Sequence, residues 1–550
     1  MLNMRKTMSI VLALVLTVCM AACSGGNNSG KSSENGSSAS GTGNNAGSGN
    51  KNSNADTPAS TGNAAADSGS ADTSKEVELS ILVPGDPPTN GTLEKVEAKW
   101  NDLFKQMINA TVKLKWVGWT DWQTKYDLAM ASGEAYDLIV VGDWLNFWAN
   151  SKKGAYMNLE DLLPKAAPEL WSEFKEDWPS VTNDGHITMI PETHYSQWTD
   201  QGIYYRGDWA KEFGITEPIK DFDTLGKYLQ GIKDKKKGVI PYDVTAGTKY
   251  EPYWGWVQSH TDALLMEMVP TGFLHLFWGK SYYEKYTAWS PVFDQTFVDE
   301  AVMMKDWADK GYWRKDALNF TGDTRAELQE GKTGTDAHHS QTFRGLRATM
   351  DQKQPGSELQ MFAYADTRGN LMTDSPVHGG FAVGANSKNP ERALMALELI
   401  HNDPDIYRLF QYGIEGEQYV VKDGLRAQPD GYDPAKSDFF SNMWGARNDK
   451  NEIPSKNEYA GIYDMFKEKA AKAKRYPYAS FVFDKTPVQA ELSALSNVTS
   501  TMGPAIIWGK AGDPVKAVEN FRKKLKAAGY DKVLAELQKQ LDAYKAKVEG

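Results

Sequence analysis

LSILV (Leu79–Val83), a helical apolar pattern from Thr92 to Ile108, the alternating TVKLKWV (Thr111–Val117), a second helical run from Asp121 to Ala131 and the apolar DLIVV (Asp137–Val141) follow one another directly. Short apolar runs alternating with helical periods read as β-α-β-α-β. Parallel strands need crossover helices, so this order predicts a mainly parallel sheet with helices on its faces. In such sheets ligands sit beyond the carboxyl ends of the strands. Those positions are Pro84 to Asn90, Trp119, and Asp143 with Trp144.

Downstream, a second α/β region is expected from about Ile203. Ile219 to Lys233 reads as helix, Gly238 to Val244 as a strand and turn, and Tyr250 to Trp289 is dense in aromatics. GFAVGA (Gly380–Ala385) reads as a strand, and Asn389-Pro390-Glu391 opens a helix running to about His401. Near the end, Val518, Phe521 and Leu525 share one helical face, and Val533, Leu537, Leu541 and Tyr544 share the next. No repeat of fixed period is apparent.

Upstream, Arg5 and Lys6 precede a short apolar run, Ile10 to Met20, which reads as an export signal. The run ends Met20-Ala21-Ala22-Cys23, resembling the lipobox of bacterial lipoproteins, in which the cysteine is acylated and anchors the chain to the outer face of a membrane. Residues 24–75 hold 13 Ser, 10 Gly and 9 Asn among 52, with no Val, Ile, Leu, Met or aromatic. Such a segment buries no core; it predicts a disordered tether with a reach of roughly 40 Å. GGNNSGKS (Gly25–Ser32) and GTGNNA (Gly41–Ala46) match phosphate-loop and dinucleotide patterns by letter only. Neither has the preceding strand and following helix that would aim backbone N–H groups at a phosphate.

The charge, 61 basic against 72 acidic side chains, is −11, which argues against nucleic-acid binding. The only cysteines, Cys19 and Cys23, lie in the leader, so the folded part has no disulfide, thiolate metal site or cysteine nucleophile. Zincin, nucleophile-elbow and calcium-loop motifs are absent. Glu415 and Glu417 form a carboxylate pair whose separation in space, the quantity that sets a glycosidase mechanism, sequence does not give.

YDLIVVGDW (Tyr136–Trp144), KGAYMNLEDLLP (Lys153–Pro164), YYRGDWAKEFGITEP (Tyr204–Pro218), EGKTG (Glu330–Gly334), GGFAVGANSKNPERAL (Gly379–Leu394), YGIEGEQY (Tyr412–Tyr419) and WGARN (Trp444–Asn448), in this order, resemble the family 1 extracellular solute-binding proteins of ABC importers. FVFDKTPVQAEL (Phe481–Leu492) and the run Lys524 to Tyr544 are similar to the terminal region of the LipO-like lipoprotein branch. The resemblance implies a two-lobed α/β fold of the type II periplasmic-binding-protein kind, with an extra helical C-terminal region. By analogy the first lobe spans 76–193 and 379–425 and the second 194–378 and 426–550, with crossovers near His194 and His378. It further implies a lipid-anchored monomer on the extracellular face of the cell membrane, without cofactor or chemistry of its own. That monomer closes on an oligosaccharide and serves the transmembrane subunits of an ABC permease. An oligopeptide receptor, a partner of a sensor kinase and a lipid-anchored glycan-cleaving enzyme are the competing readings.

Sugar recognition calls for flat aromatic faces and polar groups that share hydrogen bonds with hydroxyls. Trp119, Asp143 and Trp144 lie just past strands; Thr193, His194, Tyr195 and Trp198 lie at one expected crossover, and His378 to Phe381 at another. Trp254 and Trp256, within YWGW, are expected as a stacking platform, against the alternative that they are core. Asp336, His338 and His339 follow an expected strand and are candidates to face the cleft. Adjacent histidines on a strand point to opposite sides, which argues against a metal site. Trp444, Arg447 and Asn448 are candidates to close over the ligand.

Overall fold

The computed structural model describes residues 72–119, 122–183, 185–192, 198–243, 251–266 and 268–549. The leader, Cys23 and nearly all of the expected tether, with Thr193, His194 and Tyr195, lie outside them.

The first lobe is built on a five-stranded sheet in the order Ala110–Val117, Val77–Pro84, Leu138–Val141, Gly380–Val383, Ile190–Pro191. The first three strands are parallel, with Val77–Pro84 and Ala110–Val117 paired in step along their whole length. Gly380–Val383 returns antiparallel between Leu138–Val141 and Ile190–Pro191. Helix Thr92–Ile108 turns Val96, Trp100, Phe104 and Ile108 to the core, the four-residue spacing that keeps one face inward. It stops at Asn109, whose left-handed backbone (φ 49°) closes the last turn. Trp100 is fully buried: its indole donates to the Val112 carbonyl at 3.0 Å, and its ring stacks on Phe410 at 4.1 Å. Behind the sheet, the buried guanidinium of Arg392 donates to the carbonyls of Asp72, Lys75, Ile108 and Asn109, clipping the incoming chain to the helix end.

The second lobe carries a three-stranded antiparallel sheet with Gly202–Arg206 between Thr335–His338 and Leu359–Ala363. Alternation along the central strand sends Ile203 and Tyr205 to one core and Tyr204 to the other. The larger core takes in helices Phe222–Lys235 and Gln295–Lys310 and the C-terminal helices Gln489–Ile507, Pro514–Ala527 and Tyr530–Glu549. The smaller is closed by Ser340–Lys353 and Ile462–Lys472, and there Asp200 and Lys469 form a buried ion pair at 3.3 Å.

Two expectations need correction. Instead of a strand over Gly238 to Val244, the described residues make a single bridge, Ile240 to Thr333. Pro241 has no N–H to extend a ladder there. The first lobe also does not end at 425: Phe439, Met443 and Ala446 pack into its core, and Ile453 joins Tyr407, Tyr412 and Tyr419. No helix among the described residues is long and apolar enough to cross a membrane.

Candidate functional site

Four tryptophans meet at the carboxyl end of the first sheet. Trp119 follows Ala110–Val117, Trp122 opens the next helix, and Trp144 follows Leu138–Val141. Trp444 arrives from the segment that Asn442 ties to the Pro84 carbonyl at 3.1 Å. Trp119 and Trp444 stack with centroids 5.9 Å apart and planes 25° apart. Trp119 meets Trp122 edge-on at 6.3 Å, and Trp122 meets Trp144 at 5.2 Å. The outer pair is open, with Trp119 and Trp444 each 41% exposed.

Two glycines let the cluster assemble. A Cβ on Gly85 would lie 1.9 Å from Asn442 Nδ2 and 3.5 Å from Trp119 Nε1, and the backbone there (φ 127°) is one that glycine tolerates. A Cβ on Gly142 would lie 2.7 Å from Trp144 Nε1 and 2.3 Å from the His378 carbonyl. Without it, the Trp144 indole donates to that carbonyl at 2.8 Å. The cluster is therefore fixed, through Trp144, to the segment that leads into strand Gly380–Val383.

His378 sits beside it. Its Nδ1 lies 3.2 Å from Asp143 Oδ1 and its Nε2 3.8 Å from Asp374 Oδ2, with about a third of the side chain still exposed. Burial disfavours its charge, but the carboxylates of Asp374, Asp143 and Glu192 outweigh burial and hold the imidazolium well above the ordinary histidine range. From the second lobe, His339 faces this charge; burial, then His338 and His378, push its own ionisation well down. His338, half-buried and hydrogen-bonded to Thr342 Oγ1 at 3.1 Å, is pushed down to about 4 by burial and by Arg325. The expected opposite orientation of the two histidines is not what forms. The strand ends at His338, His339 caps helix Ser340–Lys353, and the rings lie 4.3 Å apart.

Other candidates belong elsewhere. Trp198 is buried against Phe466. Trp254 and Trp256 are 5% and 8% exposed in the larger core of the second lobe; Trp256 stacks on His260 at 3.5 Å and donates to the Thr296 carbonyl. YWGW is core, because the neighbouring helix Gln295–Lys310 and Phe222 cover it. Asp336 is buried and pairs with Arg325 at 2.9 Å while accepting from Thr324. Arg447 turns to Asp449 and Glu452, and buried Asn448 donates to the His401 carbonyl. Trp122, Asn442 and Asp374 were not anticipated; only the Trp119–Trp122 spacing in the sequence hinted at the first.

A surface hollow of about 380 Å³ between Met130, Tyr136 and Asn386 opens at the amino end of Leu138–Val141, away from the tryptophans. Among the described residues no cluster of three or more His, Cys, Asp or Glu is placed to hold a metal. The arrangement offers open aromatic faces bordered by an imidazolium and carboxylates. That combination suits a ligand with apolar C–H faces and many hydroxyls.

A carbohydrate ABC transporter substrate-binding protein of Streptococcus pneumoniae is 26% identical over 496 residues, 88% of this chain and 94% of that protein. Lipoprotein LipO of Bacillus subtilis is 23% identical over 383 residues, 67% of this chain and 71% of its own length. The crystal structure of the N-glycan transport solute binding protein of Streptococcus pneumoniae has the same fold: TM-score 0.70 at 23% identity, over 86% of this chain and 100% of that one. A domain of unknown function matches the C-terminal residues 477–546. The family described as bacterial extracellular solute-binding protein matches residues 99–402, more than half of the sequence, and the chain belongs to that family.

Proposed function

We propose that this protein captures an oligosaccharide outside the cell by closing its lobes on it, and delivers it to an ABC permease while held to the membrane through an acylated Cys23. The observation that carries this reading is the tryptophan cluster. Trp119 and Trp444 present stacked, open faces at the carboxyl ends of the strands, where a doubly layered sheet takes its ligands. Beside it His378, Asp143 and His339 bring charges and hydrogen-bonding groups from both sides of the gap. The names of the relatives point the same way, one a carbohydrate ABC transporter substrate-binding protein and one a lipoprotein. Closure works as a shift toward a state that the ligand bridges.

The test is a thermal-shift screen of the full chain in detergent against neutral and acidic oligosaccharides, N-glycan fragments and oligopeptides. A ligand at a hundredfold its dissociation constant stabilises by about 2.7 kcal/mol, a visible rise in midpoint. A rise selective for one glycan class, with that glycan recovered intact, supports the proposal. A rise with peptides alone, or recovery of cleaved sugar, overturns it.

A further inference from the structure

A second polar cavity, of about 180 Å³, lies in the first lobe between the hairpin Val420–Lys422/Leu425–Ala427 and the segment that leads to Trp444. Its wall contains one cation, Arg426, and one carboxylate, Asp438. Asp438 accepts from the Tyr432 hydroxyl at 3.0 Å, and the two charges do not pair. The Arg426 guanidinium lies over the Tyr412 ring at 4.3 Å; its Nε is buried, and its side chain has no hydrogen-bond or ion-pair partner among the described residues. A buried donor such as this Nε is costly to leave unmet unless something else meets it. Gln428 and Asn457 line the same cavity with amide groups.

We propose that this cavity is a carboxylate subsite, in which Arg426 grips the acid group of a uronic or sialic sugar residue while Gln428 and Asn457 share its hydroxyls. The inference rests on the oligosaccharide reading above and extends it to a charged ligand. Three observations favour a sugar acid. A carboxylate matches the guanidinium fork with two parallel hydrogen bonds. The volume is below that of a pocket for a whole ligand, which suits one residue at the end of a chain. The remaining wall is mostly amide, hydroxyl and phenol, with Ala427 and Phe439 as its apolar members. The cavity wall and the tryptophans share one stretch of chain. From Asp438, whose carbonyl accepts from Asn90 and Thr92, six residues reach Trp444, at most roughly 20 Å of extended chain. Ser455 and Asn457, on its far wall, stand where the chain leaves Ile453 of the first lobe for Ile462 of the second.

The experiment measures the thermal midpoint of the full chain with sodium glucuronate, sodium N-acetylneuraminate, glucose plus sodium chloride, and N-acetyl-dialanine at equal concentration. It is repeated for Arg426→Gln and Arg426→Lys. A rise with a sugar acid but not with glucose, lost in R426Q and partly restored in R426K, is the expected result. R426Q is expected to fold, since the backbone of Arg426 still pairs with Pro454 and Lys456; circular dichroism checks this, and R426K stands in if it fails. No rise with either acid, a rise that R426Q retains, or a rise only with the peptide overturns the subsite. Tryptophan fluorescence with the neutral glycans reads the parent proposal separately. A neutral glycan that binds while both acids fail removes the subsite and leaves the oligosaccharide reading standing.

Discussion

Replacing Trp444 by alanine removes one face of the stacked pair without opening a core. Trp119 and Trp444 each leave 41% of their surface free, which for a side chain of roughly 250 Å² is roughly 100 Å². A pyranose covering half of that removes ~50 Å² from water, worth about 1.3 kcal/mol at the usual coefficient. The expected outcome is therefore a dissociation constant raised about tenfold in Trp444→Ala, and similarly in Trp119→Ala. The free protein also loses the stacking of the two rings, about 1 kcal/mol or less given their exposure, so its midpoint should move by only a few degrees. The assay is calorimetric titration with whichever glycan the screen selects, alongside an unfolding curve. Trp254→Ala is the control: with 5% of its surface exposed, that ring is core, and its loss should cost about 3–5 kcal/mol of stability. If both Trp119→Ala and Trp444→Ala bind within twofold of the parent, the cluster does not hold the ligand.

Glu300 is wholly buried in helix Gln295–Lys310, both its carboxyl oxygens lack a partner among the described residues, and burial pushes its ionisation well above the ordinary carboxylate range. Its folded value exceeds the unfolded one, so its contribution to stability is complete below the ordinary glutamate range of about 4.3 and is lost as pH rises through the folded value, at about 1.4 kcal/mol per unit. Glu300→Met should be the more stable protein at neutral pH and show a flatter pH dependence; urea midpoints with the same slope for both proteins between about pH 5 and about pH 7 would contradict this. Lys469→Met strips the partner from buried Asp200, which burial already pushes up to about 6 against the opposing pull of that lysine. A loss of about 3 kcal/mol is expected, largely recovered in the Asp200→Asn/Lys469→Met double variant, and an unchanged urea midpoint for the single variant would show that the pair does not secure helix Ile462–Lys472.

The first sheet was legible because its pattern is local. Apolar runs and helical periods between Leu79 and Val141 set strands and helices in turn, and the ends-of-strands rule then pointed to Trp119, Asp143 and Trp144. Trp444 came from a motif rather than from periodicity. What stayed hidden depends on contacts between distant parts of the chain. Asn442 reaches the Pro84 carbonyl across 358 positions, and no local signal announces such a contact. Trp254 and Trp256 have the composition of a platform and of a core alike; the covering helix, not the YWGW motif, decides. The histidine pair was misread for a geometric reason, since alternation holds only while the strand continues and His338 is its last residue.

The clip at Arg392 sets how this molecule would transmit a mechanical load. The chain enters beside Lys75 and Asn109, at the amino ends of the first strands, while the tryptophans stand at the carboxyl ends. Eight residues of strand Val77–Pro84, at about 3.3 Å each, put roughly 27 Å of sheet between the two. Tension applied through the chain before residue 72 thus arrives as shear along paired parallel strands, the direction in which every rung of the ladder resists at once. The rear of the first lobe becomes the fixed end of a lever.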